Sequence, residues 1–384
     1  MPASIFVFDP TAKDKLSQVR GIGRYLQILR ENFTNEFNFV SKIENFKLKI
    51  ENSIFINPFF TFLQPPLIIK RVAKKQIAVI HDLIPLKYPA HFPIGLKGKL
   101  NVFLNKLALI NYDRIITDSE ASKKDIVQML HIDENKVKVI YPCLSNVFTN
   151  LKFKIRNLNS NLKLKISNYC IYVGDATWNK NLVNLARAIK IINITCVFVG
   201  KVFKNLTLDV GGLKLDNEAG SLKLEKNQTS NLKPQNPASS FQYQASNFSH
   251  PWQKELREFL QEIGNDKRFI FLGFIPDKEL VKLYQQARVN ILPSRDEGFG
   301  FSYLEAASQK CPTILSDIPV LHEIANDSAF FANPNDPHDI ANKIGEVYFN
   351  QDLKNQLGEK AYKRSQFFSS TQFKKSFLEL LQNL

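Results

Sequence analysis

Two carboxylates stand eight positions apart in EGFGFSYLEA, Glu297 to Ala306, around a Gly-Phe-Gly. The run VNILPS before it reads as a buried strand, which places Glu297 at a strand end and Glu305 about two turns into a helix. The plain reading is that glutamate is a good helix former and often a solvated charge. The chemical reading starts from the turn. Backbone N–H groups at Gly298, Phe299, Gly300 and Phe301 would open a helix whose positive end attracts phosphate, and glycines let an anion approach the chain closely. Glu305 could then hold a ribose diol, and Glu297 could reach a sugar.

Three more stretches could serve the same ligand. In VIHDLIPLKYP, His81 and Asp82 follow an apolar run, at the carboxyl edge where open α/β sheets bind ligands. In VRGIGRYL, Gly21 and Gly23 precede a helix and could admit a diphosphate, although a plain turn explains a lone GxG almost as well. In YVGDATWNKNL, Lys180 sits at a helix start, where a cation opposes the dipole unless an anion is bound beside it.

The elements that would carry these residues alternate. SIFVF, IAVI, RIIT and VKVI read as strands in the first half, with RYLQILREN and EASKKDIVQML as helices; Ser119 is the N-cap of the second. YCIYV, TCVFV, FIFL and VNIL follow in the second half, with NLVNLARAI, KELVKLYQQA and FSYLEAAS between them. This rhythm predicts an α/β protein of two units with parallel sheets, residues 1–160 and 167–361, joined by a polar linker. Residues 201–250 break it: they are rich in Asn, Ser, Lys and Gln and hold the near-repeat GLKLDNEAGSLKLEKNQ. A disordered insertion is expected there, with an ordered flap as the alternative.

At 384 residues and 44% hydrophobic content the chain is globular. Its net charge of +15 is shared by both halves, residues 1–150 holding 21 Lys and Arg against 13 Asp and Glu. Such a field draws nucleotides, nucleic acid or acidic lipid without choosing among them. Cys143, Cys170, Cys196 and Cys311 are scattered in or beside apolar runs, as buried reduced thiols are. The apolar stretch SIFINPFFTFLQPPLII is interrupted by prolines and cannot be an ordinary spanning helix. A cytoplasmic protein follows, or one lying on the membrane's inner face. FFTFLQPPLIIKRVAKK and PIGLKGKLNVFLNKLALI pair apolar residues with lysines, which suits anionic lipid or, equally, core strands and a solvated helix face.

In these stretches the chain resembles glycosyltransferase family 4, retaining enzymes of the GT-B fold. RGIGRY is similar to its glycine loop, VIHDLIPL to its first-domain histidine segment and YVG…NKNL to its phosphate-binding lysine. FLGFIPDKELVKLY resembles its nucleobase-side loop, and EGFGFSYLEA its Glu-x7-Glu element; TDSEASKKDI and LHEIANDSAFFANPNDP also fit. HDLIPL leans toward members that move mannose or rhamnose in surface polysaccharide assembly.

The resemblance implies two Rossmann-like domains facing a central cleft and a hexose transferred from a nucleotide sugar to a glycan or lipid-linked glycan acceptor. Glu305 would hold the ribose, Lys180 the diphosphate, and Phe274 and Ile275 the base. Glu297 and the backbone of Gly298, Phe299, Gly300 and Phe301 would hold the sugar and its phosphate, with His81 facing the sugar from the other domain. A final helix, about 362–384, would cross back onto the first domain. Transfer would proceed with retention and with no metal or cofactor, since no paired aspartates stand in a suitable place. Asp175 occupies a position where many members carry arginine, so it should point away from a diphosphate; Arg20, Arg24 or Arg295 could supply the missing charge. A sugar-nucleotide epimerase of the same fold, and a basic nucleic-acid binder, remain the alternatives. Against the second, the lysines are dispersed and no aromatic residues interleave with a basic stripe.

Overall fold

The computed structural model describes residues 4–13, 21–42, 52–149, 168–206, 213–215, 222–224 and 250–384. The first half builds one six-stranded parallel sheet from β1 (Ser4–Phe8), β2 (Phe37–Val40), β3 (Ser53–Asn57), β4 (Lys75–Val79), β5 (Arg114–Thr117) and β6 (Val137–Val139). Its order is β2-β1-β3-β4-β5-β6. The second sheet runs β11-β8-β7-β12-β13-β14 and is also parallel. Its strands are β7 (Tyr169–Val173), β8 (Thr195–Val199), β11 (Phe269–Gly273), β12 (Val289–Leu292), β13 (Thr313–Ser316) and β14 (Phe330–Ala332). Taken in chain order this is the doubly wound 3-2-1-4-5-6 arrangement.

The central strands are apolar on both faces. β3, β12 and β13 are buried at every residue, because helices cover both sides of each sheet. Four of the strands escape a reading by local pattern: β2 and β14 are short edge strands, β3 is cut off by Pro58, and β13 is only Thr-Ile-Leu-Ser. The helix Lys254–Ile263 also lies past the irregular stretch, and it buries Leu256, Phe259, Leu260 and Ile263. The regular fold persists beyond 200: a 3-10 turn, Lys201–Leu206, sends Phe203 and Leu206 into the second core. Within the near-repeat, the two Leu-Lys-Leu copies pair antiparallel as β9 (Leu213–Leu215) and β10 (Leu222–Leu224), so that copy faces copy. The remainder of the expected insertion, and residues 150–167 of the linker, lie outside the described residues.

After the helix Gln351–Ser365, which packs Leu357 and Ala361 on the second domain, the chain turns and ends in the helix Ser370–Gln382. That last helix inserts Phe373, Phe377 and Leu380 into the first-domain core beside Tyr25, Phe33 and Phe37. All four cysteines are buried and free; burial pushes the Cys143 and Cys311 thiols up to about 12. Among the described residues no helix is long and apolar enough to cross a membrane.

Candidate active site

Both sheets turn their strand ends toward one cleft. From the second sheet come the loops after β7 and β12, the neighbours at which the strand order reverses, where ligands of open α/β sheets bind. The β7 loop delivers Lys180 and the β12 loop delivers Glu297. Their side chains meet, Lys180 Nζ lying 2.6 Å from Glu297 Oε1. Ser294 donates to the same oxygen at 2.6 Å. Burial works against a charged Lys180, but Glu297 and then Asp82 outweigh it and raise its pKa. Asp175 is exposed and its Oδ1 accepts from the Ala176 N–H at 2.8 Å, which closes the start of the loop.

The β12 loop continues through Gly298 into the helix Phe301–Ser308. Gly300, at φ +108°, is its N-cap, so the helix start has no capping side chain. Residues Ser302 to Ser308 of this helix are all buried, which excludes a solvated role for Glu305. Only 5% exposed, Glu305 faces Arg24 Nε at 3.1 Å and the Tyr284 hydroxyl at 3.4 Å. Burial pushes its carboxyl up to about 7, with Arg24 pulling the other way. Arg24 comes from the first-domain helix Gly21–Phe33, and its Nη2 also donates to Asp277 at 2.7 Å.

Gly21 and Gly23 lie in the first turn of that same helix. Phe299 is buried against Phe368, and Phe301 packs beside it. Phe274 is 39% exposed at the end of β11, whereas Ile275 turns its side chain into the core, so only its backbone could meet a base.

His81 follows β4. Its Nδ1 lies 2.6 Å from Asp118 Oδ2 and its Nε2 3.1 Å from the Pro58 carbonyl. Both partners are acceptors, an arrangement that a ring donating through both nitrogens satisfies. Burial opposes the charge of such a ring, but Asp118, then Asp82, outweigh it and raise the pKa. Asp82, half-buried, has its own carboxyl pushed up by desolvation, partly offset by the Ile84 N–H, His81 and Lys180. The two domains touch here: a Cβ on Gly298 would stand 2.9 Å from the His81 carbonyl oxygen and 3.2 Å from Asp82 Cβ. The Gly298 carbonyl in turn accepts from Ser119 Oγ at 2.8 Å. Sequence reasoning singled out Lys180 and Glu297 separately, and the fold makes them one ion pair. It missed Asp118 and Ser294, which have no local signature, and saw Arg24 only as a spare charge.

A further contact of the two halves lies beside this cluster. Tyr88 donates to Asp296 at 2.9 Å, Lys87 pairs with Asp296 at 2.9 Å, and His91 stacks on Trp178. The cleft is thus lined by opposed charges and hydrogen-bonding groups from both sheets.

Comparison with known proteins bears on the fold and the family. The family model described as glycosyl transferases group 1 matches residues 154–364. The O-antigen chain mannosyltransferase RfbU of Salmonella typhimurium is 24% identical over 68% of this chain and 58% of its own length. The serotype-specific mannosyltransferase WbdA of Escherichia coli is 36% identical over 31% of this chain, but that covers only 14% of WbdA. Among solved structures, Anabaena Alr3699/HepE in complex with UDP-glucose superposes with a TM-score of 0.67 at 14% identity, covering 100% of both chains. A glycosyltransferase from Rickettsia africae superposes with a TM-score of 0.60 at 15% identity, covering 100% of this chain and 98% of that one. With its two facing parallel sheets of GT-B architecture, the chain belongs to the glycosyl transferases group 1 family.

Proposed function

We propose that this protein transfers a hexose from a nucleotide-sugar donor to a glycan acceptor, with retention of configuration and without a metal ion. The observation that carries the proposal is the convergence of Lys180, Glu297 and the uncapped start of the helix Phe301–Ser308 on one side of a seam, with His81 on the other. In this reading Glu305 takes the ribose diol, Phe274 and the Ile275 backbone flank the base, and Gly21 and Gly23 border the diphosphate. As the bond to the sugar breaks, charge grows on the leaving diphosphate. The Lys180 ammonium and the N–H groups from Gly298 to Phe301 are preorganised to receive it, and such stabilisation gains strength in a cleft that excludes water. The acceptor hydroxyl attacks from the face the nucleotide leaves, and its proton passes to the departing diphosphate. His81, with both nitrogens donating, contributes positive charge and no base. The names of the relatives support mannose as the hexose and a surface polysaccharide as the product.

The first domain supports a location for the reaction at a membrane surface. Its helix Gly95–Leu109 leaves Leu96, Leu100, Phe103 and Leu107 exposed on one stripe, continued by Ile110. From residue 52 to 112 the only acidic residue is Asp82, against eight Lys and Arg. An apolar stripe set in such a basic surface fits the anionic inner face of a membrane, where a lipid-linked acceptor would be presented.

The test is a thermal-shift screen of GDP-, UDP- and dTDP-sugars, followed by NMR of the product with chelator present. A donor at 100 times its Kd stabilises by about 2.7 kcal/mol. No shift with any donor would overturn the nucleotide-sugar reading. An inverted product, or activity lost to the chelator, would overturn retention or metal independence.

A further inference from the structure

We infer that the pocket walled by the chain's two tryptophans is the subsite for the acceptor sugar; this rests on the transfer reading above. The pocket holds about 420 Å³ between the two domains, beside the transfer cluster. Small-ligand pockets run from about 300 to 1,000 Å³. Of 384 residues only two are tryptophan, and both line it.

Its walls come from both halves of the molecule. His91 of the first domain stacks on Trp178 of the second, centroids 3.9 Å apart and planes 10° from parallel. Trp252 forms another wall; its Nε1 donates to the Pro93 carbonyl at 3.3 Å, and its ring stands edge-on to Phe92 at 5.1 Å. Neither tryptophan is core filling, since both keep part of their surface exposed. Polar groups complete the lining. Arg295 pairs with buried Glu255 at 3.2 Å, and Glu258 lies exposed along the same helix.

That combination matches a pyranose. His91 and the Arg295 guanidinium already lie on the Trp178 ring, so Trp252 is the tryptophan that takes the C–H face of the sugar, while carboxylate and guanidinium groups bind its rim of hydroxyls directly. A lipid tail is ill suited to a wall of carboxylates and arginine. The position is equally specific. Trp178 is two residues before Lys180, and Arg295 is two residues before Glu297, so the pocket adjoins the place where the donor sugar would be transferred. Its first-domain lip, at His91 and Pro93, runs straight into the helix Gly95–Leu109 that carries the exposed apolar stripe. An acceptor anchored in a membrane beside that helix would present its sugar to this pocket.

Tryptophan fluorescence reads this pocket alone, because no other tryptophan exists. Methyl glycosides of mannose, rhamnose, galactose and N-acetylglucosamine should be titrated singly into the full chain. At least one should change the emission saturably. Trp252→Leu and the exposed Glu258→Gln should weaken that sugar about tenfold, while the thermal shift given by the preferred nucleotide sugar keeps its Kd within about twofold. A saturable response to no glycoside, in a protein that still shows a nucleotide-sugar shift, would overturn the subsite. So would a fluorescence response to the nucleoside diphosphate that both variants abolish, since the pocket would then belong to the donor. A glycoside response with no nucleotide-sugar shift would uphold the pocket as a sugar site and count against the donor reading instead.

Discussion

Replacing Lys180 by methionine removes the cation of the cleft while keeping nearly its volume. Glu297 is 9% exposed and would keep the Ser294 hydroxyl at 2.6 Å but lose the ammonium at 2.6 Å, with Asp82 still nearby. Breaking a buried pair on one side costs about 3–5 kcal/mol. The surviving hydrogen bond places Lys180→Met at the low end, about 3 kcal/mol. Glu297→Gln should cost less, about 1–2 kcal/mol, because Asp82 and Asp175 still face the lysine. In the double variant Lys180→Met/Glu297→Gln neither half of the pair is left charged without the other, so the loss should fall short of the sum by about 2 kcal/mol. Lys180 has a pKa raised above its unfolded value, so the pair's contribution is complete below about pH 10 and is lost only as pH rises through the folded pKa. Urea unfolding at pH 7 therefore measures the full effect. Donor kcat/KM supplies the second readout. It should drop by at least about a hundredfold, roughly 2.7 kcal/mol, in Lys180→Met, and the double variant should not recover it. Two single losses that add within about 0.5 kcal/mol would show that the pair is not coupled. A double variant that regains both stability and turnover would make the pair structural and end the assignment of Lys180 to the diphosphate.

Three other residues and one surface give sharp expectations. Burial holds Glu305 near 7, above its unfolded value, so the folded state keeps a proton that the unfolded chain releases; stability should fall between about pH 5 and 7 by up to about 1.4 kcal/mol per unit. Glu305→Gln should flatten that slope in urea midpoints taken across the range, and equal slopes would refute the cause. Gly298→Ala drives a methyl against the His81 carbonyl, so it should cost about 1–3 kcal/mol in urea unfolding and lower turnover; an unchanged variant would show that the seam yields freely. Asp175→Ala removes an exposed loop cap and the last-ranked of the charges acting on Lys180, and donor kcat/KM should stay within about threefold, with stability within about 1 kcal/mol. Sedimentation with anionic vesicles should fail for Leu100→Glu/Phe103→Glu and weaken as the Debye length shrinks from about 8 Å at physiological salt to about 3 Å at 1 M; equal binding to neutral vesicles would refute the docking face.

How much of this was legible in sequence depended on distance along the chain. The loops after β4, β7 and β12 announce themselves, because an apolar run, a glycine or proline and a charged residue lie within a few positions of one another. Short edge strands such as β2 and β14 give too few residues for a pattern, and β9 with β10 was visible only as a repeat, not as a ribbon. The pairings were not legible at all. Lys180 and Glu297 are 117 residues apart, and Arg24 and Asp277 are 253 apart. No window of sequence contains both ends of such a contact, and a single carboxylate gives no sign of which cation it will meet.

Arg24 also changes the meaning of the net charge. A composition of +15 invites the idea that the basic residues collect where a diphosphate binds. In the folded chain the cations of the cleft are already engaged: Lys180 faces Glu297 and Asp82, and Arg24 faces Glu305 and Asp277. Residues 52–112, beside the exposed stripe of the helix Gly95–Leu109, carry eight Lys and Arg against one Asp. A diphosphate entering the cleft must therefore exchange with carboxylates already holding those cations, and two of the carboxylates, Glu305 and Asp82, are the ones burial drives toward the neutral form. Protonating either one leaves a cation less committed to its protein partner and more open to the ligand. Selectivity for an anion would then come from exchange within a desolvated cleft whose cations are already paired, while the basic surface of the first domain acts at longer range.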